Sequence, residues 1–278
     1  MAGLDPPRQN RRTKIVVCMR TPKGAARTSG ARPSSSNAGR TTLTSRSTAR
    51  SSTRTASTGQ AGVLGVDANA LHEALGGTSD AVLIGHDWGA MGAYSGAGIA
   101  AHRWRRVVAA AVPPGPVTAQ AFFSYEQLRL SWYMFFQLNP LADLAVPMND
   151  YEFITKLWRD WSPGYDEAVD VDHFIEAMAT PAHLSAALGY YRQTLQPEFH
   201  DPALAEAQNA TLAVPPQPLL YLHGADDGCM GAWLAAATPA VLTAPGSRAE
   251  IVEGAGHFLQ LEQPTVVNRA ILDFVTES

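Results

Sequence analysis

From residue 66 onward, short unbroken apolar runs alternate with stretches of helical spacing. Ala81-Val82-Leu83-Ile84, Val107 to Val112, Leu219 to His223 and Ala249 to Val252 are runs of the first kind, short enough to be strands covered on both faces. Val66 to Leu75 (closed by Gly76-Gly77), the small-residue stretch from Ala90 to about Ala101, and Val266 to Val275 carry the helical rhythm. Strands alternating with helices predict an α/β fold built on a doubly wound, mostly parallel sheet. Residues 116–210 contain no buried-strand run and are rich in aromatics at helical spacing. They predict a helical cap inserted between core segments 63–115 and 211–278.

Residues 1–62 break this pattern. Between Thr41 and Thr58, 12 of 18 residues are Ser or Thr and three are Arg, which leaves almost no apolar surface to offset the cost of ordering the backbone. Only Ile15-Val16-Val17-Cys18-Met19 reads as a short strand. Charge divides at the same place. Residues 1–66 hold 12 Lys or Arg and the single acid Asp5, whereas residues 67–278 hold 9 basic and 24 acidic residues, and the whole chain carries −4. Three readings of the segment stand side by side: a transit peptide, a basic arm, or a stretch that is not the native front of the domain. A basic arm could bind phosphates, but residues 1–66 offer no aromatic side chain to stack on bases, so nucleic acid is not expected as a partner.

Composition narrows the class further. The chain has 278 residues, 46% hydrophobic and 17% charged, which excludes a wholly disordered protein. Its two cysteines, Cys18 and Cys229, cannot form a disulfide framework and have no zinc-ligand spacing around them. They read as free thiols in a reducing, cytoplasmic setting, with no metal and no cofactor. No apolar run approaches the ~20 residues of a membrane span.

The candidate chemistry starts at Gly85-His86-Asp87-Trp88-Gly89, between a strand and a small-residue helix. A strand running through Gly-x-Nu-x-Gly into a helix lifts one side chain onto a tight turn at the end of the sheet. Here that side chain is Asp87. A carboxylate needs no base to activate it and attacks alkyl carbon to form an ester, which suits epoxides and carbon–halogen bonds. The alternative is an ordinary Asp capping the helix. Two later loops supply partners. Leu219 to His223 runs into Gly224-Ala225-Asp226-Asp227, and Gly254-Ala255-Gly256-His257-Phe258 follows the fourth strand. The chain order Asp87, Asp227, His257 is that of nucleophile, acid and base.

On these residues, the region from about Asp67 to the C-terminus resembles the α/β-hydrolase family, specifically its epoxide hydrolases. The Gly-His-Asp-Trp-Gly motif is shared with haloalkane dehalogenases. The insertion separates the two, because Trp132-Tyr133-Met134-Phe135-Phe136-Gln137 and Gly189-Tyr190-Tyr191-Arg192 are similar to the two cap stretches whose tyrosines hold the epoxide oxygen. Arg159-Asp160-Trp161-Ser162 between them is also similar to the family's cap. The resemblance implies Tyr133 and Tyr191 as ring-opening acids, with Tyr190 as the neighbouring alternative. It implies Asp227 over Asp226 as the orienting acid, by its Gly-x-x-Asp spacing from Gly224. It also implies the Trp88 N–H as an oxyanion donor. The implied partners are a small hydrophobic epoxide and water; oligomeric state is not readable.

The sequence departs from that family at the front. Neither its His-Gly-x-Pro loop, which supplies a second oxyanion donor, nor its Asp-x-Arg-Gly stretch occurs in residues 1–66. The early strands are therefore expected to be absent, and residues up to about 62 to be a frame-shifted translation or a mis-called start. The runner-up functions are a haloalkane dehalogenase-type hydrolase and a catalytically defective α/β-hydrolase-like protein acting as a binding scaffold.

Overall fold

A computed structural model describes the backbone of residues 15–18 and the whole of residues 59–178 and 180–277. Its centre is a five-stranded, all-parallel sheet in the order β1 (Ile15–Cys18), β2 (Ala81–His86), β3 (Trp104–Ala110), β4 (Leu219–Gly224), β5 (Arg248–Val252). The short strand read at Ile15 is thus the edge partner of β2, with Ile15 opposite Val82 and Cys18 opposite Gly85. The other expectations about residues 1–58 lie outside the described residues.

Side-chain alternation assigns the two faces of the sheet. Leu83, Val107, Ala109, Leu219 and Tyr221 pack with Ala68 of α1 (Gly62–Ala74) and with Ala93 and Tyr94 of α2 (Trp88–Ile99). Val82, Ile84, Val108, Leu220 and Leu222 point the other way, onto Val267 and Phe274 of the last helix. With both faces covered, these strands can carry unbroken apolar runs, as Ala81–Ile84, Val107–Ala110 and Leu219–Leu222 do. The outer strand β5 is partly exposed and carries Arg248 and Glu250, paired at 2.6 Å, charges of the kind that blunt an open edge.

Between β3 and β4 the chain is helical: α3 (Gly115–Ala121), α4 (Tyr125–Leu130), α5 (Trp132–Leu138), α6 (Ala142–Ala145), α7 (Met148–Trp161), α8 (Ala168–Ala177), α9 (Pro181–Leu195) and α10 (Ala205–Ala210). Then come α11 (Trp233–Ala237), α12 (Leu259–Glu262) and α13 (Pro264–Thr276). The inserted helices share a cluster with Cys229, Met230 and Phe258, so they sit over the loops that leave the C-terminal ends of β4 and β5.

Two boundaries differ from the sequence expectation by three residues or more. α1 begins at Gly62 rather than Val66, and the residues before it are tied down: Gln60 and Ala61 are buried. The Ala61 N–H donates to Thr194 Oγ1 at 2.9 Å and the Gly62 N–H to Gln208 Oε1 at 2.9 Å. β3 begins at Trp104 rather than Val107, because Arg105 and Arg106 reach past the sheet to the carbonyls of Val275 and Glu277, where the last turn of α13 presents unpaired acceptors. Among the described residues no helix is long and apolar enough to cross a membrane.

Candidate active site

The turn after β2 is forced by packing. A Cβ on Gly85 would run into the Gly89 carbonyl, so strand and helix can meet this closely only with glycine there. Asp87, between them, has φ 53° and ψ −121°, a strained conformation for a non-glycine residue. The backbone is pinned on either side, with the Asp87 N–H donating to Ala110 O at 3.1 Å and the Ala90 N–H to Asp87 O at 2.8 Å. Asp87 occupies the N-cap position of α2, yet its side chain caps nothing, and the carboxylate turns instead toward His257, with Oδ1 3.6 Å from Nε2.

Asp227 and His257 complete the group. Asp227 Oδ1 accepts the N–H groups of Cys229 (2.7 Å) and Met230 (2.9 Å), so the carboxylate is fixed by its own loop. The ring Nδ1 of His257 stands 3.1 Å from Asp227 Oδ2 and 3.3 Å from Oδ1. A carboxylate can only accept there, so Nδ1 carries the proton and Nε2 is left to face Asp87. Asp226, the adjacent acid, is exposed, and its N–H is used by Ala255 O. The side chains of His257 and Asp227 are sealed from solvent, while that of Asp87 is 32% exposed, so the space that reaches solvent opens on Asp87.

The His257 loop is held by the inserted helices. Its N–H donates to the Trp161 carbonyl at 2.9 Å, and the Gly228 N–H of the Asp227 loop donates to the same oxygen at 3.1 Å. Ser162 Oγ accepts the Phe258 N–H and donates to Glu262, whose other oxygen accepts the Gly256 N–H at 2.8 Å. His86 Nε2 donates to the His257 carbonyl at 2.8 Å, and burial followed by the neighbouring His257 charge lowers the His86 pKa to about 4. That ring is therefore neutral at physiological pH.

Charge in the site is polarised. Burial alone would raise the Asp87 pKa, but the hydrogen bond and charge of His257, the His86 ring and the Trp88 N–H outweigh it and hold the carboxylate below its ordinary value. Burial alone would lower the pKa of His257; its neighbours Cys229, Asp227 and Asp87 together raise it well above its ordinary value. Asp227 and Asp87 thus flank the ring with negative charge, which favours its protonated form.

Tyr133 from α5 and Tyr191 from α9 stand over this group, their rings 6.0 Å apart. Tyr133 is buried against Trp161 (4.8 Å between rings), and Tyr191 meets the Trp88 ring edge-on at 5.0 Å. Burial, and with it the Asp87 charge, raises both phenol pKa values, so both hydroxyls stay protonated. Tyr190 also approaches Trp88, at 6.0 Å, but only Tyr191 packs into the cluster that contains Tyr133 and Phe258. Asp87, Trp88, Tyr133, Tyr191, Asp227 and His257 are therefore in one neighbourhood, whereas Asp226 turns to the surface. Sequence reasoning missed Cys229, whose Sγ lies 3.1 Å from the Tyr133 hydroxyl, and the supporting pair Ser162 and Glu262. No spacing rule points to Cys229, because it reaches the site by the folding of a loop. The notable metal-ligand geometry among the described residues is spatial: Asp227, Cys229 and His257 offer donor atoms within 4.8 Å of one another.

The model of the Alpha/beta hydrolase family matches residues 24–270. Epoxide hydrolase 1 of Caenorhabditis elegans is 25% identical over 209 residues, covering 72% of this chain and 49% of that protein. Epoxide hydrolase 3 of Xenopus tropicalis is 30% identical over 213 residues, covering 72% and 54%. The chain spans about half the length of these curated relatives. An inhibitor complex of the Bacillus megaterium epoxide hydrolase superposes with a TM-score of 0.65 at 20% identity, covering 81% of this chain and 78% of that one, and so shares the fold.

Proposed function

The chain belongs to the alpha/beta hydrolase family, and from that premise we propose that it opens small hydrophobic epoxides to diols through a covalent ester on Asp87. The helices from Gly115 to Ala210 serve as the cap that closes the site. The observation that carries the reading is the line Asp87–His257–Asp227, with Nε2 3.6 Å from Asp87 Oδ1 and Nδ1 3.1 Å from Asp227 Oδ2. A structural Asp at a helix start would bond its own backbone N–H groups; this one is uncapped, strained and aimed at an imidazole.

The first step needs an anionic nucleophile and an acid for the leaving oxygen. Asp87, kept ionised by its surroundings, attacks one ring carbon. The C–O bond breaks, and the alkoxide, held by the Tyr133 and Tyr191 hydroxyls, takes its proton from one of them, which is then reprotonated from solvent. Positioned acids of this kind contribute about 10²–10⁴ in rate. The second step needs a base. Forming the ester removes the Asp87 charge, and with it one of the influences that raise the His257 pKa. The imidazole then gives up its proton more readily and takes one from a water at Nε2. The resulting hydroxide attacks the ester carbonyl. The oxyanion is met by the Trp88 N–H at the start of α2, where the helix favours negative charge. The carboxylate is regenerated and the diol leaves. Aromatic walls from Trp88, Tyr133, Trp161 and Tyr191 favour an apolar substrate.

Replacing Asp87 by Asn tests the reading: diol formation from a small aryl or alkyl epoxide should fall to background. Full activity in that variant would exclude Asp87 as nucleophile.

A further inference from the structure

The hydrolysis proposed above gives Cys229 no step, yet its thiol is buried beside the proposed base and against Tyr133. Asp227 Oδ1 accepts the Cys229 N–H, and this bend of the loop brings the sulfur and the carboxylate of one segment to the imidazole of another. The three donor atoms lie within 4.8 Å of one another and are all buried. Mixed sulfur, nitrogen and oxygen ligation is the set taken by zinc and by other thiophilic divalent cations.

We infer that Asp227, Cys229 and His257 form an inhibitory site for a thiophilic divalent cation, which switches the hydrolase off by taking its base. The inhibitory half rests on the reading of His257 given above; the binding half does not. With metal–ligand bonds of about 2.0–2.3 Å, neighbouring ligands of a tetrahedral ion stand ~3.3–3.7 Å apart. The Nδ1–Oδ2 pair is at 3.1 Å already, and the donor atoms of the three residues all lie within 4.8 Å of one another, so a small adjustment of the loop closes the set on an ion. On binding, the thiol S–H leaves to solvent and Nδ1 gives up its hydrogen, leaving a neutral ring with its one proton at Nε2, and S, Nδ1 and Oδ2 each form one bond to the metal. Burial raises the pKa of the thiol, and a coordinated cation deprotonates it outright. Thiolate and carboxylate then balance the double positive charge, so no net charge is left buried. The Tyr133 hydroxyl, 3.1 Å from the sulfur, is at hand to supply the fourth ligand directly or through a water. With Nδ1 metallated and Asp227 engaged, the imidazole loses its orienting bond and the ester would stay on Asp87.

Cobalt(II) is the probe, because its thiolate complexes absorb in the near ultraviolet and its tetrahedral sites in the visible, independently of any turnover. Titrating the full chain should give a saturable thiolate band at one cobalt per chain, displaced by zinc. Cys229→Ser and Cys229→Ala, shown to be folded by their thermal transitions, should lose it. In the same wild-type samples zinc should suppress epoxide hydrolysis reversibly by chelator. Whichever cysteine variant turns over should need more than about tenfold more zinc for the same fractional inhibition. No band in the wild type, or a band of equal strength in both variants, overturns the site. A band with undiminished hydrolysis under saturating zinc overturns its inhibitory role. A band in a protein with no epoxide turnover under any condition supports the site and removes the hydrolase reading.

Discussion

The backbone N–H of His257 donates to the carbonyl of Trp161 at 2.9 Å, so the end of α7 in the inserted helices fixes the loop that carries the proposed base. The same oxygen accepts the Gly228 N–H of the Asp227 loop. One carbonyl thereby ties the Asp227 loop to the His257 loop, and in the function proposed above the inserted helices are part of the catalytic frame as well as its cover.

That frame has a weak point at Ser162. Its hydroxyl accepts the buried Phe258 N–H and donates to Glu262. Ser162→Ala leaves that N–H without an acceptor, at a cost of about 1–3 kcal/mol. Denaturant unfolding should show a loss of this size, and turnover should fall because the His257 loop loosens. Unchanged stability would mean the clamp is not needed.

Gly85→Ala attacks the turn itself. The added methyl meets the Gly89 carbonyl, backbone against backbone, so relief requires strand and helix to separate. Overpacking of this kind costs about 1–3 kcal/mol, and the midpoint of thermal unfolding should drop accordingly. A variant as stable as the parent would show that the turn has more room than its packing implies.

The two tyrosines separate epoxide opening from halide displacement. Tyr133→Phe combined with Tyr191→Phe removes both acids and should slow epoxide opening by about 10²–10⁴. A displaced halide ion needs no proton, so any dehalogenation would survive the change. Epoxide turnover unaffected by the double substitution would take the proton donation away from this pair.

Acid should divide the two steps. Asp87 is held below the ordinary carboxylate range, so alkylation persists as pH falls. Hydrolysis of the ester needs a neutral His257, present above that group's pKa in the ester state and lost as pH falls through it. The fraction of enzyme trapped as ester during turnover, read by rapid acid quench, should therefore rise as pH is lowered. A trapped fraction that shrinks in parallel with alkylation would contradict the assignment of His257 as base.

How much of this is legible in the sequence depends on the range of the interactions involved. β2 and β4 read correctly because burial on both faces leaves Ala81–Ile84 and Leu219–Leu222 as unbroken apolar runs. Asp87 reads because sterics at Gly85 and Gly89 impose a local signature. The start of β3 does not, because Arg105 and Arg106 look polar until their partners at the end of α13, some 170 residues away, are known. Gln60 and Ala61 look like the end of a featureless tract, and are buried because α9 and α10 present Thr194 and Gln208 to the neighbouring backbone. Cys229 is invisible for the same reason: a loop hydrogen bond to Asp227, not a spacing, carries it into the site.

The central claim is the bond to Asp87, and mass spectrometry of the His257→Gln variant incubated with a small epoxide tests it most directly. Without its base the enzyme should complete the first step and stall, so the intact mass should rise by that of one substrate molecule and fragmentation should place the adduct on the Asp87 side chain. An unmodified protein under conditions where the wild type forms diol, or an adduct on any other residue, would contradict the account.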